Sequence, residues 1–215
     1  MRASGALVAM QVNTVADVAV AEAADVDLVV AQAAKPAGTP VRSQRSRCSR
    51  KCWRRPTAPW SQPAASQPAG GLAAVIAAGA QGAWIGTALL ACPETDGPQQ
   101  ARERALGAAS HETVYTSVFD RIAGAPWPAR WGGRAIENDL SERWHGREDE
   151  AATHPGLRQE FRRALDGRDF EIAVAYAGQS VGMVREERPA ADVVRTIGVE
   201  AQSRLDQLSA ANTNG

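Results

Sequence analysis

GLAAVIAAGAQGAWIGTALLACPE, residues 71–94, decides how the rest of the chain is read. Residues 72–79 predict a helix closed by Gly79, because glycine reaches the left-handed conformation that ends a helix without a Cβ clash. Gly82–Thr87 then reads as a short strand running into a turn. A helix that feeds a strand is half of a β/α repeat. A competing reading exists, since residues 71–92 carry no charge and Gly82-xxx-Gly86 has the spacing of packed membrane helices. Much of the run is weakly apolar Ala and Gly, and Gln81 interrupts it, so the soluble reading is preferred.

Upstream, residues 6–12 (ALVAMQV) form an apolar run with one Gln, as expected of a short strand buried on both faces. Thr14 opens VADVAVAEAA, an Ala-rich helix with a side chain suited to cap its N-terminus. Asp27–Gln32 (DLVVAQ) predicts a second buried strand. Strand, helix and strand at this spacing imply a parallel sheet with helices outside it.

Between these two stretches the composition changes abruptly. No Asp or Glu occurs between Asp27 and Glu94. Residues 35–55 hold eight cations, and residues 36–68 hold six of the twelve prolines. Such a segment predicts no barrel strand, because proline removes ladder donors and buried cations are costly. Three plain readings of it are a disordered linker, a nucleic-acid contact through Trp53, Trp60 and the cations, and a metal site at Cys48 and Cys52, which lacks further ligands nearby.

Downstream the pattern turns helical. Gln99–Ala109 and Leu157–Leu165 predict helices, and Ala190–Leu208 predicts a long terminal one with Pro189 just before its start. His111–Phe119 is a mixed stretch and Trp127–Gly133 a loop. Trp127, Trp131 and Trp144 read as packing residues, and His111, His145 and His154 as exposed or capping histidines.

The whole chain has 215 residues, with 24 Lys and Arg balancing 24 Asp and Glu. Zero net charge gives no general attraction to nucleic acid or to acidic membranes. Three cysteines are too few and too odd for a disulfide framework, which points to a reducing, cytoplasmic setting. No secretion signal is read at the N-terminus.

Chemistry enters at Gly79–Gly82 with Gly86 and Thr87. Glycines let backbone N–H groups approach an anion, and a following hydroxyl can donate to a phosphate oxygen. In (β/α)₈ barrels the loops after the last two strands build such sites. A tight turn between helix and strand would use the same glycines.

Taken together, these segments resemble the FMN-dependent nitronate monooxygenases, also called 2-nitropropane dioxygenases. GLAAVIAAGAQGAWIGTALLACPE is similar to that family's last barrel helix and strand, and DLVVAQ to its sixth strand. FDRIAGAPWPARWGGRAIEND and YAGQSVGMV resemble its C-terminal region. The resemblance covers residues 6–32 and 71–208. It implies an α/β fold, an incomplete TIM (β/α)₈ barrel made of the C-terminal strands, with a helical C-terminal extension. Residues 1–92 would be a partial flavin-binding barrel with an aberrant or disordered segment at 33–70, and residues 93–215 a helical region.

The resemblance implies FMN as cofactor, held by Gln32, Gln81, Gly82, Gly86 and Thr87, with Ser180 in the substrate pocket and no metal. The implied reaction oxidises an alkyl nitronate with O₂ to a carbonyl compound and nitrite. The family's DLVVAQ strand should run into a Gly-Gly-His turn carrying the general base, and this chain has no such turn, so no catalytic residue is assigned. Family chains also start well upstream, which implies that this one begins near the fifth strand.

Twenty-two Arg against two Lys indicates a GC-rich gene. Misread GC-rich codons give Arg, Pro, Ser, Trp and Cys, the residues that crowd positions 33–70. Back-translated with GC-biased wobble bases and read in the other frame, the segment can give a string of the same length with a Gly-Gly-His turn, an amphipathic helix, a PVVAAGG strand and a second glycine loop. The expected product is an enzyme of impaired activity that binds FMN weakly or not at all, on small-molecule nitronates or nitroalkanes, without nucleic acid or membrane. The other class of reading is a non-catalytic remnant, or a module that binds a partner.

Overall fold

The computed structural model describes residues 5–31, 56–59, 68–128 and 131–213. They divide into two compact units: residues 1–85 with 194–215, and residues 86–193.

The first unit is built on a four-stranded parallel sheet. Its strands β1 (Ala9–Val12), β2 (Leu28–Ala31), β3 (Pro56–Pro59) and β4 (Gly82–Trp84) lie side by side in chain order. Helix α1 (Val15–Ala23) joins the first two. Its start is set locally. The Thr14 hydroxyl accepts from the Asp17 N–H at 3.2 Å, and the Asp17 carboxylate accepts from the Thr14 N–H at 2.8 Å, so each residue satisfies a donor of the other. Its end is set by Asp25, which takes a φ of 51° and closes the last turn. Val12, Ala21 and Val26 form the small core under this repeat.

Helix α2 (Pro68–Ala77) precedes β4. Proline opens it, where its missing N–H costs nothing. The helix buries Ala69, Gly71 and Ala73, so small side chains carry its contact face. The Gly79 N–H bonds the Ile76 carbonyl and the Ala80 N–H bonds the Val75 carbonyl, both at 2.9 Å, with Gly79 at a φ of 97°. This is the glycine-closed helix end read from the sequence. Residues 71–92 are therefore helix, turn, strand and 3₁₀ turn, not one apolar rod, and no described helix is long and apolar enough to cross a membrane.

One expectation is overturned. The proline-rich segment was expected to supply no strand, yet β3 pairs with β2 on one side and β4 on the other. Val30, Thr57 and Gly82 lie abreast across the three strands. The physical reason is local: all eight cations fall at 35–55, leaving PTAP uncharged, and its two prolines stand at the strand's ends while Thr57 and Ala58 keep their donors.

The second unit packs helices around an antiparallel pair, β5 (Thr113–Thr116) and β6 (Gly133–Ile136). Around it stand α3 (Gln99–Gly107), α4 (Val118–Ala123), α5 (Asp139–Trp144), α6 (Glu148–Thr153) and α7 (Leu157–Gly167). Val118, Phe119, Ile122, Leu140, Leu157 and Phe161 make its main core. Asn138 ties this core to the chain that follows it. Its side-chain oxygen accepts from the Ser141 N–H at 3.0 Å to start α5, while its amide donates to the Ala173 carbonyl at 2.9 Å. The last helix, α8 (Ala190–Thr213), starts in this unit, where the Glu94 carboxylate accepts from the Ala190 N–H at 3.0 and 3.1 Å. An anion at a helix N-terminus also meets the positive end of its dipole.

Trp144 packs against the main core and meets His154 edge-on, as a packing residue should. Trp127 does not: it is 65% exposed, between Pro126 and Pro128 in the loop that joins α4 to β6.

Candidate functional site

Four parallel strands in chain order carry their C-terminal ends to one edge of the sheet, where β/α folds hold ligands. The sequence grouped Gln32, Gln81 and Gly82 as cofactor residues, but the structure sets Gln81 and Gly82 at the opposite, N-terminal end of β4. Gln32 lies outside the described residues. Gln81 is exposed in the turn that leads into β4, and Gly82 is that strand's first residue.

Gly86 and Thr87 follow β4 in the chain and belong to the second unit. Gly86 precedes a 3₁₀ turn at Thr87–Leu89, with φ −119° and ψ −55°. Among the described residues nothing lies within 4 Å of where its Cβ would be. Neither backbone conformation nor packing among those residues calls for glycine there. An unused approach to the backbone is what an anion-binding turn needs.

Thr87 is half-buried, and its Oγ1 accepts from the Gly178 N–H at 2.9 Å. Gly178 lies just before a second 3₁₀ turn, Gln179–Met183, which carries Ser180. A Cβ on Gly178 would stand 3.3 Å from Thr87 Oγ1 and 3.9 Å from Ser180 Oγ. So the structure brings together two of the residues read from the sequence, Thr87 and Ser180, around a glycine that leaves both hydroxyls room. Among the described residues neither hydroxyl donates to an acceptor.

The Gln179–Met183 turn is held from beneath. Val181 is fully buried with Ala105, Ala108, Ile136 and Ala177. Gly182 lies against Ser110, whose backbone nitrogen would be 2.5 Å from an added Cβ. The Ala177 N–H bonds the Arg134 carbonyl at 3.0 Å, and the Val181 N–H bonds the Gly178 carbonyl at 2.9 Å. Sequence reasoning named Ser180 and missed Gly178. The only signal for it was a glycine without a positive φ, which needs the structure to interpret.

Among the described residues the remaining reactive groups do not form a second centre; Cys48 and Cys52 lie outside those residues. His111, His145 and His154 are all exposed, and the last two cap the ends of α5 and α6, as the sequence suggests. Burial, with Glu94 nearby, pushes the Cys92 thiol up and makes it a poor nucleophile. Burial and the hydrogen bond to Asp120 at 2.9 Å push the Tyr176 phenol up as well, so it stays protonated. Among the described residues, no group of three or more His, Cys, Asp or Glu could hold a metal ion.

Comparison with known proteins gives a consistent picture. The family model for nitronate monooxygenase matches residues 67–200. A nitronate monooxygenase of Neurospora crassa is 28% identical over 98% of this chain and 58% of its own length. One of Paraburkholderia phytofirmans is 30% identical over 64% of this chain and 36% of its own. The chain thus spans well under two thirds of the curated relatives it matches. Among solved structures, FabK from Thermotoga maritima superposes with a TM-score of 0.71 at 21% identity, covering 98% of this chain and 65% of that one. Nitroalkane oxidase from Streptomyces ansochromogenes gives 0.68 at 24%, covering 96% and 60%. These likenesses establish the fold: an α/β, incomplete TIM barrel, unclosed here, with a helical C-terminal extension.

Proposed function

Because this chain belongs to the nitronate monooxygenase family, we propose that it is an FMN-dependent oxidoreductase by descent that oxidises alkyl nitronates with O₂ to carbonyl compounds and nitrite, at reduced efficiency. Gly86 and Thr87 would hold the FMN phosphate and Ser180 would face the substrate; Gln32, Gln81 and Gly82 are carried over from the family resemblance alone. The electron chemistry would come from the flavin, while the protein supplies orientation and electrostatics.

The observation that carries this reading is the Thr87 hydroxyl. It is half-buried, fixed by one accepted hydrogen bond, and still has its proton to give. A phosphate oxygen is a strong acceptor for such a donor. The open face of Gly86 beside it fits the same ligand. These residues fit the phosphate end of FMN.

The impairment belongs to the same proposal. The family's general base stands in a Gly-Gly-His turn after the DLVVAQ strand, and the frameshifted reading of residues 33–70 accounts for its loss. The presence of β3 argues for a sheet that still pairs across that region, so we place FMN binding as weak and present. The small, odd cysteine count fits an enzyme of the reducing cytoplasm.

Fluorescence titration tests the assignment. The purified chain should quench FMN and bind it at least about fivefold more tightly than riboflavin, because one phosphate hydrogen bond contributes about 1 kcal/mol or more. Thr87→Val should abolish that preference. Equal binding of both flavins by the unsubstituted chain would remove the phosphate from the site.

A further inference from the structure

Gly178 has no backbone reason to be glycine. Its φ of −78° and ψ of 170° are open to every residue. What distinguishes the position is its N–H, which donates to Thr87 Oγ1, and the lack of a side chain between the hydroxyls of Thr87 and Ser180. A threonine hydroxyl has one proton and two lone pairs. Once an N–H occupies a lone pair, the proton must point elsewhere.

We infer that Gly178 is a positioning residue for the flavin phosphate: its N–H holds Thr87 Oγ1 as an acceptor and so directs the Thr87 hydroxyl proton outward to the ligand. The inference rests on the reading of Thr87 as a phosphate ligand and adds to it the group that aims it. Without this contact a threonine hydroxyl turns freely and can bond a nearby backbone carbonyl instead. Fixing it before the ligand arrives removes that ordering cost from binding.

The fixing is possible because Gly178 is itself anchored independently of Thr87. The preceding Ala177 N–H bonds Arg134, the Gly178 carbonyl accepts from Val181, and Val181 is fully buried below. The N–H is therefore held by packing and presented to Thr87. A side chain at 178 would keep the donor but press on Thr87 Oγ1 from 3.3 Å.

Two substitutions perturb the contact in different ways. Gly178→Pro deletes the N–H at a φ that proline accepts and puts its Cδ against Thr87 Oγ1, while Gly178→Ala keeps the N–H and adds only the Cβ. Affinities for FMN and for riboflavin are measured on each purified chain, with Thr87→Val and the double variant Gly178→Pro/Thr87→Val completing a cycle. We expect Gly178→Pro to weaken FMN about fivefold to tenfold, as for a lost hydrogen bond to a charged ligand's donor, with riboflavin affinity unchanged. Gly178→Ala should have a smaller effect of the same sign. In the Thr87→Val background the proline should cost nothing more.

Equal weakening of both flavins by Gly178→Pro, or full additivity with Thr87→Val, overturns the positioning role. If Gly178→Pro does not fold, Gly178→Ala decides by the same criterion, a selective loss of FMN against none. Failure of the unsubstituted chain to prefer FMN over riboflavin overturns the phosphate reading itself, and the positioning role with it. Those two failures differ in which chain shows them.

Discussion

Loaded with FMN, the chain should consume oxygen when given a pre-formed alkyl nitronate and almost none when given the parent neutral nitroalkane. A nitronate already carries its negative charge, so its oxidation needs no proton removed. A nitroalkane must first lose an α-proton, and a positioned general base contributes about 10²- to 10⁴-fold to such a step. The sequence has no Gly-Gly-His turn after DLVVAQ, and its three histidines are exposed residues of the second unit. The ratio of nitronate to nitroalkane rates, read with an oxygen electrode at fixed pH, should therefore exceed that of a relative with the turn by about two orders of magnitude or more. Equal ratios would mean that another group supplies the base.

Phe119→Ala is the substitution expected to damage the fold most. Phe119 is 2% exposed in the main core of the second unit. Its ring lies 6.1 Å from that of Phe161 and meets Tyr176 edge-on at 6.5 Å. Truncation removes the buried ring and leaves a cavity that α4, α7 and the Tyr176 segment cannot all close upon, costing about 3–5 kcal/mol. That is a large part of the 5–15 kcal/mol typical of a domain. Urea unfolding followed by Trp fluorescence should show the midpoint fall sharply, and Phe119→Leu, which keeps most of the volume, should fall far less. A loss below about 1 kcal/mol for the alanine variant would show that the core is looser than these contacts require. The effect reaches the site indirectly, since Tyr176 is followed directly by Ala177 and Gly178.

The first βαβ repeat was legible because each of its signals is local. Thr14 and Asp17 cap within one turn, and the apolar runs on either side are short and uninterrupted. The end of α2 and the start of α8 were legible for the same reason, through Gly79 and Pro189. β3 was hidden because PTAP has no strand composition, and only its neighbours on both sides make it a strand. The β5 and β6 pair was hidden too. Gly133-Arg134-Ala135-Ile136 has no alternation, and its partner Thr113–Thr116 fixes it from seventeen or more residues away, through pairs such as Thr116 with Gly133.

At the site, Thr87 was legible from the glycine turn it follows and Ser180 only by resemblance, and their meeting was not legible at all. They stand far apart in the chain, and the contact depends on Val181 and Gly182 seating the second 3₁₀ turn. The missing Gly-Gly-His turn, by contrast, is a plain fact of the sequence. Tertiary packing decided the elements that were missed, while propensity and capping decided those that were seen.

The most direct test of the phosphate assignment is a residue-resolved one. Backbone amide resonances of the labelled chain are followed as FMN, and separately riboflavin, is added. The account predicts that Gly86, Thr87 and Gly178 amides shift with FMN and stay in place with riboflavin at the same occupancy. Shifts that are equal for both flavins, or that leave Gly86 and Thr87 unmoved while FMN binds, would contradict it.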